Sequence, residues 1–232
     1  MGHKLACFLY GSQNYNLATP ESDKDYKWIE FPSAEDLFQE KTLNRKISEN
    51  YSAWDVRNFL KYLMKANPNA LELLFSVEQE YYDKNFEELL NYIRPRVGAI
   101  IRQNWKNFTN ATYGIAWESI RRNSITPKTV ARLLYFYLLW FSLIWDEDEA
   151  ARNGEMTENT WRREDSVWPQ ETRKLDPNDP KTQKELDDLV KFINHDWIPD
   201  NYRIVSFDND EKICEEIRQK VLNYFEVSLT SC

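Results

Sequence analysis

Two aspartates a single residue apart, Asp23 and Asp25, open the segment "DKDYKWIEF" (Asp23–Phe31). On a β-strand, side chains at i and i+2 project from one face, so this spacing would set two carboxylates side by side. Carboxylates placed that way repel each other unless a cation lies between them. Hard oxygen ligands suit Mg²⁺, which takes one or two carboxylates and fills its shell with water and phosphate. Two such ions about 3.5–4 Å apart can hold both the attacking and the leaving oxygen of a phosphoryl displacement. Upstream, the apolar run "ACFLY" ends in Gly11-Ser12. Glycine lets the backbone approach a triphosphate closely. The N–H groups of a helical turn, with the Ser12 hydroxyl, make an anion site. Together these parts describe nucleotidyl transfer from a nucleoside triphosphate (NTP). Either part alone is common decoration; the combination is far rarer.

The elements that must hold these residues follow from pattern. Lys4–Tyr10 reads as a strand, and Gly11-Ser12 ends it in a turn or a one-turn helix. Thr19-Pro20 is a break, and Asp25–Phe31 reads as a second strand. "SAEDLFQE" has the serine-then-acid signature of a helix start, and "NYSAWD" reads as a third strand. Val56, Phe59, Leu60, Leu63 and Met64 recur at helical spacing until Asn67-Pro68. "LELLF" (Leu71–Phe75) is a short apolar element of either type. Helices are expected over roughly 86–106, 110–123, 127–150, 181–194 and 209–226, with a long polar loop or insertion over 151–180. The fold class is α+β: a small mixed N-terminal sheet with flanking helices, then a mainly helical C-terminal half. The expected units are 1–80, carrying the chemistry, and 81–232, helical.

Composition narrows the function classes. The chain has 232 residues and a net charge of −8, so no global basic field draws it to nucleic acid. Cys7, Cys214 and Cys232 are scattered and there are only two histidines, His3 and His195. That argues against a zinc site or a disulfide framework. The apolar stretch "LLYFYLLWFSLIW" (Leu133–Trp145) is shorter than the roughly 20 residues of a membrane span, and no signal peptide is evident. The expectation is a soluble, cytoplasmic protein with no membrane partner.

The segment "YGSQNYNLATPESDKDYK" resembles the GS…DxD signature of the DNA polymerase beta-type nucleotidyltransferase superfamily. It is most similar to a branch of predicted nucleotidyltransferases named for an RNA repair pathway and also found in bacteriophages. "NPNALELLFS" (Asn67–Ser76) and "TYGIAWESIRR" (Thr112–Arg122) resemble the branch more weakly. The resemblance covers about residues 5–145. It implies that Gly11 and Ser12 hold the triphosphate and that Asp23 and Asp25 ligate two Mg²⁺ ions. It also implies a third carboxylate that binds metal and helps activate the acceptor hydroxyl. Glu72 is the first choice, with Glu49, before the third strand, as the alternative. A glutamate flanked by leucines is awkward to bury unpaired, which favours a cleft position. The branch often carries a histidine and an arginine on a later helix; in "PKTVARLLYFY", Arg132 and Tyr135 stand at those places, with Lys128 retained. Lys128 and Arg132 are candidate triphosphate contacts.

Arg94, Arg96, Arg102 and Lys106, and then Arg121, Arg122, Lys128 and Arg132, have spacings that can align on helix faces. They form either a phosphate-binding stripe or a solvated face with ordinary ion pairs. Trp54, Trp105 and Trp117 read as core packing before base stacking, and His195 as structural or surface. "DEDEA" (146–150) and "DNDEKICEE" (208–216) read as solvated acidic surface or a partner-binding face. The leading expectation is an Mg²⁺-dependent nucleotidyltransferase acting on an acceptor hydroxyl, with an RNA 3′ end first. A protein hydroxyl, as in a protein-modifying (AMPylating-type) enzyme, and a small molecule are the other acceptors. The rival from another class is a catalytically silent protein that keeps the fold and binds a host or partner protein.

Overall fold

The structure is a computed structural model that describes residues 2–39, 44–145, 167–197 and 209–230. The acidic stretch 146–150, most of the expected insertion over 151–180, and Cys232 lie outside the described residues.

The N-terminal sheet is built from β1 (His3–Tyr10), β2 (Asp25–Phe31), β3 (Arg45–Lys46), β4 (Tyr51–Asp55) and β5 (Gln79–Tyr81), in the order β3-β4-β2-β1-β5. β1 runs antiparallel to β2 and to β5, β2 runs parallel to β4, and β3 pairs antiparallel with β4. The sheet is therefore mixed, as expected. The edge strands β3 and β5 were not legible, being two and three residues long. Phe8 and Ile29 are fully buried. Phe8 lies against Phe59, with ring centroids 6.5 Å apart, and this seals one sheet face with helix.

The first helices start where their caps dictate. Ser33 forms a capping box with Asp36 at the head of α1 (Ala34–Phe38). Asp55 caps α2 (Val56–Leu63), whose Val56, Phe59, Leu60 and Leu63 are all buried. Asn67 caps α3 (Pro68–Leu74), and Pro68 occupies its first turn, where its missing N–H costs nothing. The apolar "LELLF" element is therefore helical. Asn67 Oδ1 accepts from Asn69 N–H at 3.0 Å. Replacing Asn67 with alanine should cost about 1 kcal/mol, read as a lower urea midpoint, whereas Asn67→Asp should stay near wild type.

The single helix expected over 86–106 is broken. α4 (Lys84–Ile93) ends in a 3₁₀ turn, Arg94–Arg96, before α5 (Val97–Gln103). Pro95 is the reason, since it has no N–H to extend the ladder and crowds the preceding turn. The break dismantles the first basic stripe. Arg94 donates to Leu74 O at 3.0 Å and to Gln79 Oε1 at 2.9 Å, tying the helices to β5. Arg96 donates to Tyr92 O at 2.8 Å. Arg102 donates to both carboxylate oxygens of buried Asp210, at 2.8 and 2.7 Å. Asp210 thus leaves the expected acidic surface to become an internal anchor.

α6 (Trp105–Asn123) and α7 (Pro127–Trp145) pack against each other behind the sheet. Against α7 lie α8 (Val167–Lys174) and α9 (Pro180–Asp196). Part of the expected loop over 151–180 is thus helix. Trp140 and Trp197 are buried with ring centroids 5.5 Å apart. α10 (Asp210–Thr230) returns to α4 and α5, with Phe225 meeting Phe31 of the sheet at 6.1 Å. Trp105 is buried and Trp54 and Trp117 are half-buried against the core, while His195 is exposed. No helix among the described residues is long and apolar enough to cross a membrane.

Candidate active site

The β1–β2 register decides where Asp25 lies. Tyr10, the last residue of β1, pairs with Asp25, the first of β2. Gly11 follows directly, in a one-turn 3₁₀ helix, Gly11–Gln13. An antiparallel pair thereby delivers the carboxylate to the Gly-Ser turn. A Cβ placed on Gly11 would lie 3.8 Å from Asp25 Oδ2. Gly11 has φ +85°, a conformation that side-chain-bearing residues rarely adopt. The turn therefore needs glycine for its backbone as well as for approach.

Asp23 takes a different place from the one its spacing suggests. β2 begins at Asp25, so Asp23 lies in the connection before it and is exposed. The two carboxylates share a loop–strand junction, not a strand face. The residue that does share a face with Asp25 is Lys27, two positions along β2. Lys27 Nζ sits 4.6 Å from the Tyr10 ring centroid and 4.2 Å from that of Trp54. Burial pushes its pKa down, while the Glu72 and Asp25 carboxylates pull it up. Sequence reasoning missed Lys27, although its i+2 spacing from Asp25 was the available signal.

Glu72 projects from α3 into the protein behind the turn and is 3% exposed. Both of its oxygens are engaged. Oε1 accepts from Gly11 N–H and, at 3.3 Å, from Asn14 Nδ2, while Oε2 accepts from the Tyr15 hydroxyl. Asn14 also donates to Leu9 O at 2.8 Å and accepts from Val77 N–H at 3.2 Å. Burial raises the Glu72 pKa, opposed by the Tyr15 and Gly11 hydrogen bonds, the Arg132 charge and Asn14. Burial, with the adjacent Glu72 charge, raises Tyr15 well above its ordinary value. No three histidine, cysteine, aspartate or glutamate side chains gather as a metal-binding group among the described residues. The strand read from "NYSAWD" is β4, and its own acid, Asp55, pairs with Arg57. Glu49 is exposed before β4, and β4 sets Ser52 beside Lys27.

α7 forms the far side. Tyr135, buried at one of the two positions that depart from the resembled pattern, packs on Tyr15 with ring centroids 4.6 Å apart; Phe136 meets Tyr15 at 5.4 Å. This docking brings Lys128 and Arg132 to a cleft of about 270 Å³, lined also by Tyr10, Gly11, Ser12, Asp25 and Glu72. Arg132 Nη1 donates to Ser119 Oγ at 3.2 Å, and its Nε is buried without a hydrogen-bond partner among the described residues. A buried donor left unpaired is costly and marks a place for an acceptor. Of the second expected stripe, Arg121 is exposed, and exposed Arg122 pairs with Glu118 along its own helix. Only Lys128 and Arg132 of that stripe line the cleft.

A strand ending in a Gly-Ser turn, with a carboxylate delivered to it by the neighbouring antiparallel strand, agrees with the family comparison. The model of RlaP, the RNA repair pathway DNA polymerase beta family, matches residues 5–144. The chain belongs to that family. The match takes in more than half of the chain, from β1 to the end of α7, and with it the Gly-Ser turn, Asp23, Asp25, Glu72, Lys128 and Arg132. The RlaP range ends before α8, α9 and α10. A comparison with curated proteins gives no match. Membership places the chain in a polymerase beta-like nucleotidyltransferase family in general.

Proposed function

We propose that the protein transfers a nucleoside monophosphate from an NTP to an acceptor hydroxyl at an RNA 3′ end, in an Mg²⁺-dependent reaction. The observation that carries this reading is the Asp25 carboxylate set against the Gly11-Ser12 turn, in a cleft whose opposite side presents Lys128 and Arg132. The donor set fits a hard divalent ion: one half-buried carboxylate at the cleft and a second, exposed, two residues before it. Asp23 and Asp25 are the residues that would hold the two Mg²⁺ ions. Bound there, the ions supply charge neutralisation at the reacting phosphate and its leaving oxygen.

The chain's own groups do the rest. Gly11 N–H is committed to Glu72, so phosphate binding at the turn falls to the Ser12 backbone N–H and hydroxyl. Lys128 and Arg132 hold the polyphosphate from α7, and Arg132 Nε gains the acceptor it lacks. The acceptor oxygen forms a bond to the α-phosphorus, the bond from that phosphorus to the bridging oxygen breaks, and pyrophosphate leaves. The hydroxyl proton passes to water. Glu72 anchors the turn from behind. The RNA acceptor is supported by the name of the RlaP family.

The test is transfer of label from each α-labelled NTP, with Mg²⁺, onto total RNA, DNA and cell protein. Label in RNA is the expected result. Label in protein alone would make the protein-modifying reading correct. No label in any pool, with no Mg²⁺-dependent NTP binding, would leave the partner-binding reading.

A further inference from the structure

The RlaP match ends at residue 144, yet a residue well beyond it reaches the same cleft. Arg173, on α8, lines the cleft with Gly11, Ser12, Asp25, Lys128 and Arg132. Its place follows from how α8 packs on α7. Thr172 is buried, Arg173 half-buried and Lys174 exposed, so the helix turns Arg173 along the seam with α7 toward the cleft.

Apart from Arg132, which lines the same cleft, the other half-buried arginines among the described residues are committed to the fold. Arg57 pairs with Asp55, Arg94 with Leu74 O and Gln79, and Arg102 with Asp210. Arg173 makes no hydrogen bond or ion pair among the described residues, and Glu72, the buried carboxylate of the same cleft, has both oxygens taken by Gly11, Asn14 and Tyr15. A guanidinium is a rigid planar fork that binds phosphate oxygens in pairs. In a cleft of about 270 Å³, a polyphosphate seated on the Gly-Ser turn comes within reach of every lining cation.

We propose that Arg173 binds the terminal phosphate of the NTP and gives this cleft its preference for a triphosphate over a diphosphate. The inference rests on the nucleotidyltransferase reading above and extends it. The turn and α7 hold the phosphates nearer the reacting centre, and α8 adds a fork that lengthens the site by one phosphate.

The probes are Mg²⁺–tripolyphosphate and Mg²⁺–pyrophosphate, which carry no base, titrated calorimetrically into the full chain. Wild type should bind tripolyphosphate more tightly than pyrophosphate. Arg173→Ala should weaken tripolyphosphate about tenfold and pyrophosphate less than about threefold, the loss expected for one charge-assisted contact. Arg173→Lys keeps the charge without the fork and should fall between the two. Lys174→Ala, one residue on and exposed, should bind as wild type does. Melting temperatures of all variants check that the fold is kept. Equal loss for both probes in Arg173→Ala, no loss, or the same loss in Lys174→Ala would each overturn the Arg173 assignment alone. If wild type bound neither probe nor any NTP, the nucleotidyltransferase reading itself would fall, and this inference with it.

Discussion

Replacing Asp25 with asparagine should abolish nucleotide transfer and leave the fold intact. Asp25 is half-buried at the first position of β2, beside the Gly-Ser turn, and its carboxylate takes part in no ion pair or hydrogen bond among the described residues. Asparagine has the same shape and keeps the strand pairing, which is made by backbone. What it removes is the negative charge by which the proposed site would hold a cation. Loss of that charge should lower transfer by about 10³-fold, since a bound metal supplies several kcal/mol of charge stabilisation at a reacting phosphate. The melting temperature should move by no more than about 2 °C, because the change breaks no hydrogen bond or ion pair of the fold. Label transfer from an α-labelled NTP and a thermal melt on the same sample check both halves. Full activity in Asp25→Asn would show that the reaction does not depend on this carboxylate.

Glu72 should behave in the opposite way, with a large effect on stability when its shape is lost and a small effect on transfer when only its charge is lost. Glu72→Leu leaves Gly11 N–H, Asn14 Nδ2 and the Tyr15 hydroxyl facing a hydrocarbon in the interior. Stranding buried donors in this way should cost about 3–5 kcal/mol. Glu72→Gln keeps an oxygen for Gly11 and Asn14, and its amide can donate to a Tyr15 hydroxyl that rotates to accept. That variant should fold and keep most of the transfer activity. A 10³-fold loss in a stable Glu72→Gln protein would restore Glu72 to the role of third metal-binding acid.

The same pair of variants carries a pH signature. The folded-state pKa of Glu72 is raised above its ordinary value of 4.5, chiefly by burial. Between that value and the raised one, the native state holds a proton that the unfolded state has released. Unfolding free energy therefore falls as pH rises through this window, and the contribution is fully present only below the unfolded pKa. Urea unfolding across the acid range should show this slope in wild type, and Glu72→Gln should flatten it. An identical slope in both proteins would place the titrating group elsewhere.

Much of the scaffold was legible because its signals are local. The ends of β2, the cap at Ser33, the stop at Asn67-Pro68 and the apolar face of α2 each depend on a few neighbouring residues. Pro95 was in plain view, yet the helix around it read as continuous because the apolar period runs on either side of it. β3 and β5 were hidden by their shortness; such strands are recognised only by the strand they pair with. The Gly-Ser turn and the aspartates were legible as chemistry, but the placing of Asp23 before the strand was not, since spacing alone does not say where pairing begins.

Sequence by itself determined the parts: a Gly-Ser turn at the end of the first strand, carboxylates near it in sequence at Asp23 and Asp25, and a helix-rich chain in which cations outnumber what the site can use. Only the tertiary structure decided which of those parts meet. It committed Arg94 and Arg102 to the fold, turned Glu72 toward Gly11 and Tyr15, docked α7 through Tyr135, and carried Arg173 to a cleft whose Gly-Ser turn lies more than a hundred positions earlier. The physical reason is range. Periodicity and capping report on residues within a few turns of each other, whereas a hydrogen bond between Gly11 and Glu72 depends on how a sheet and a helix sixty residues apart pack.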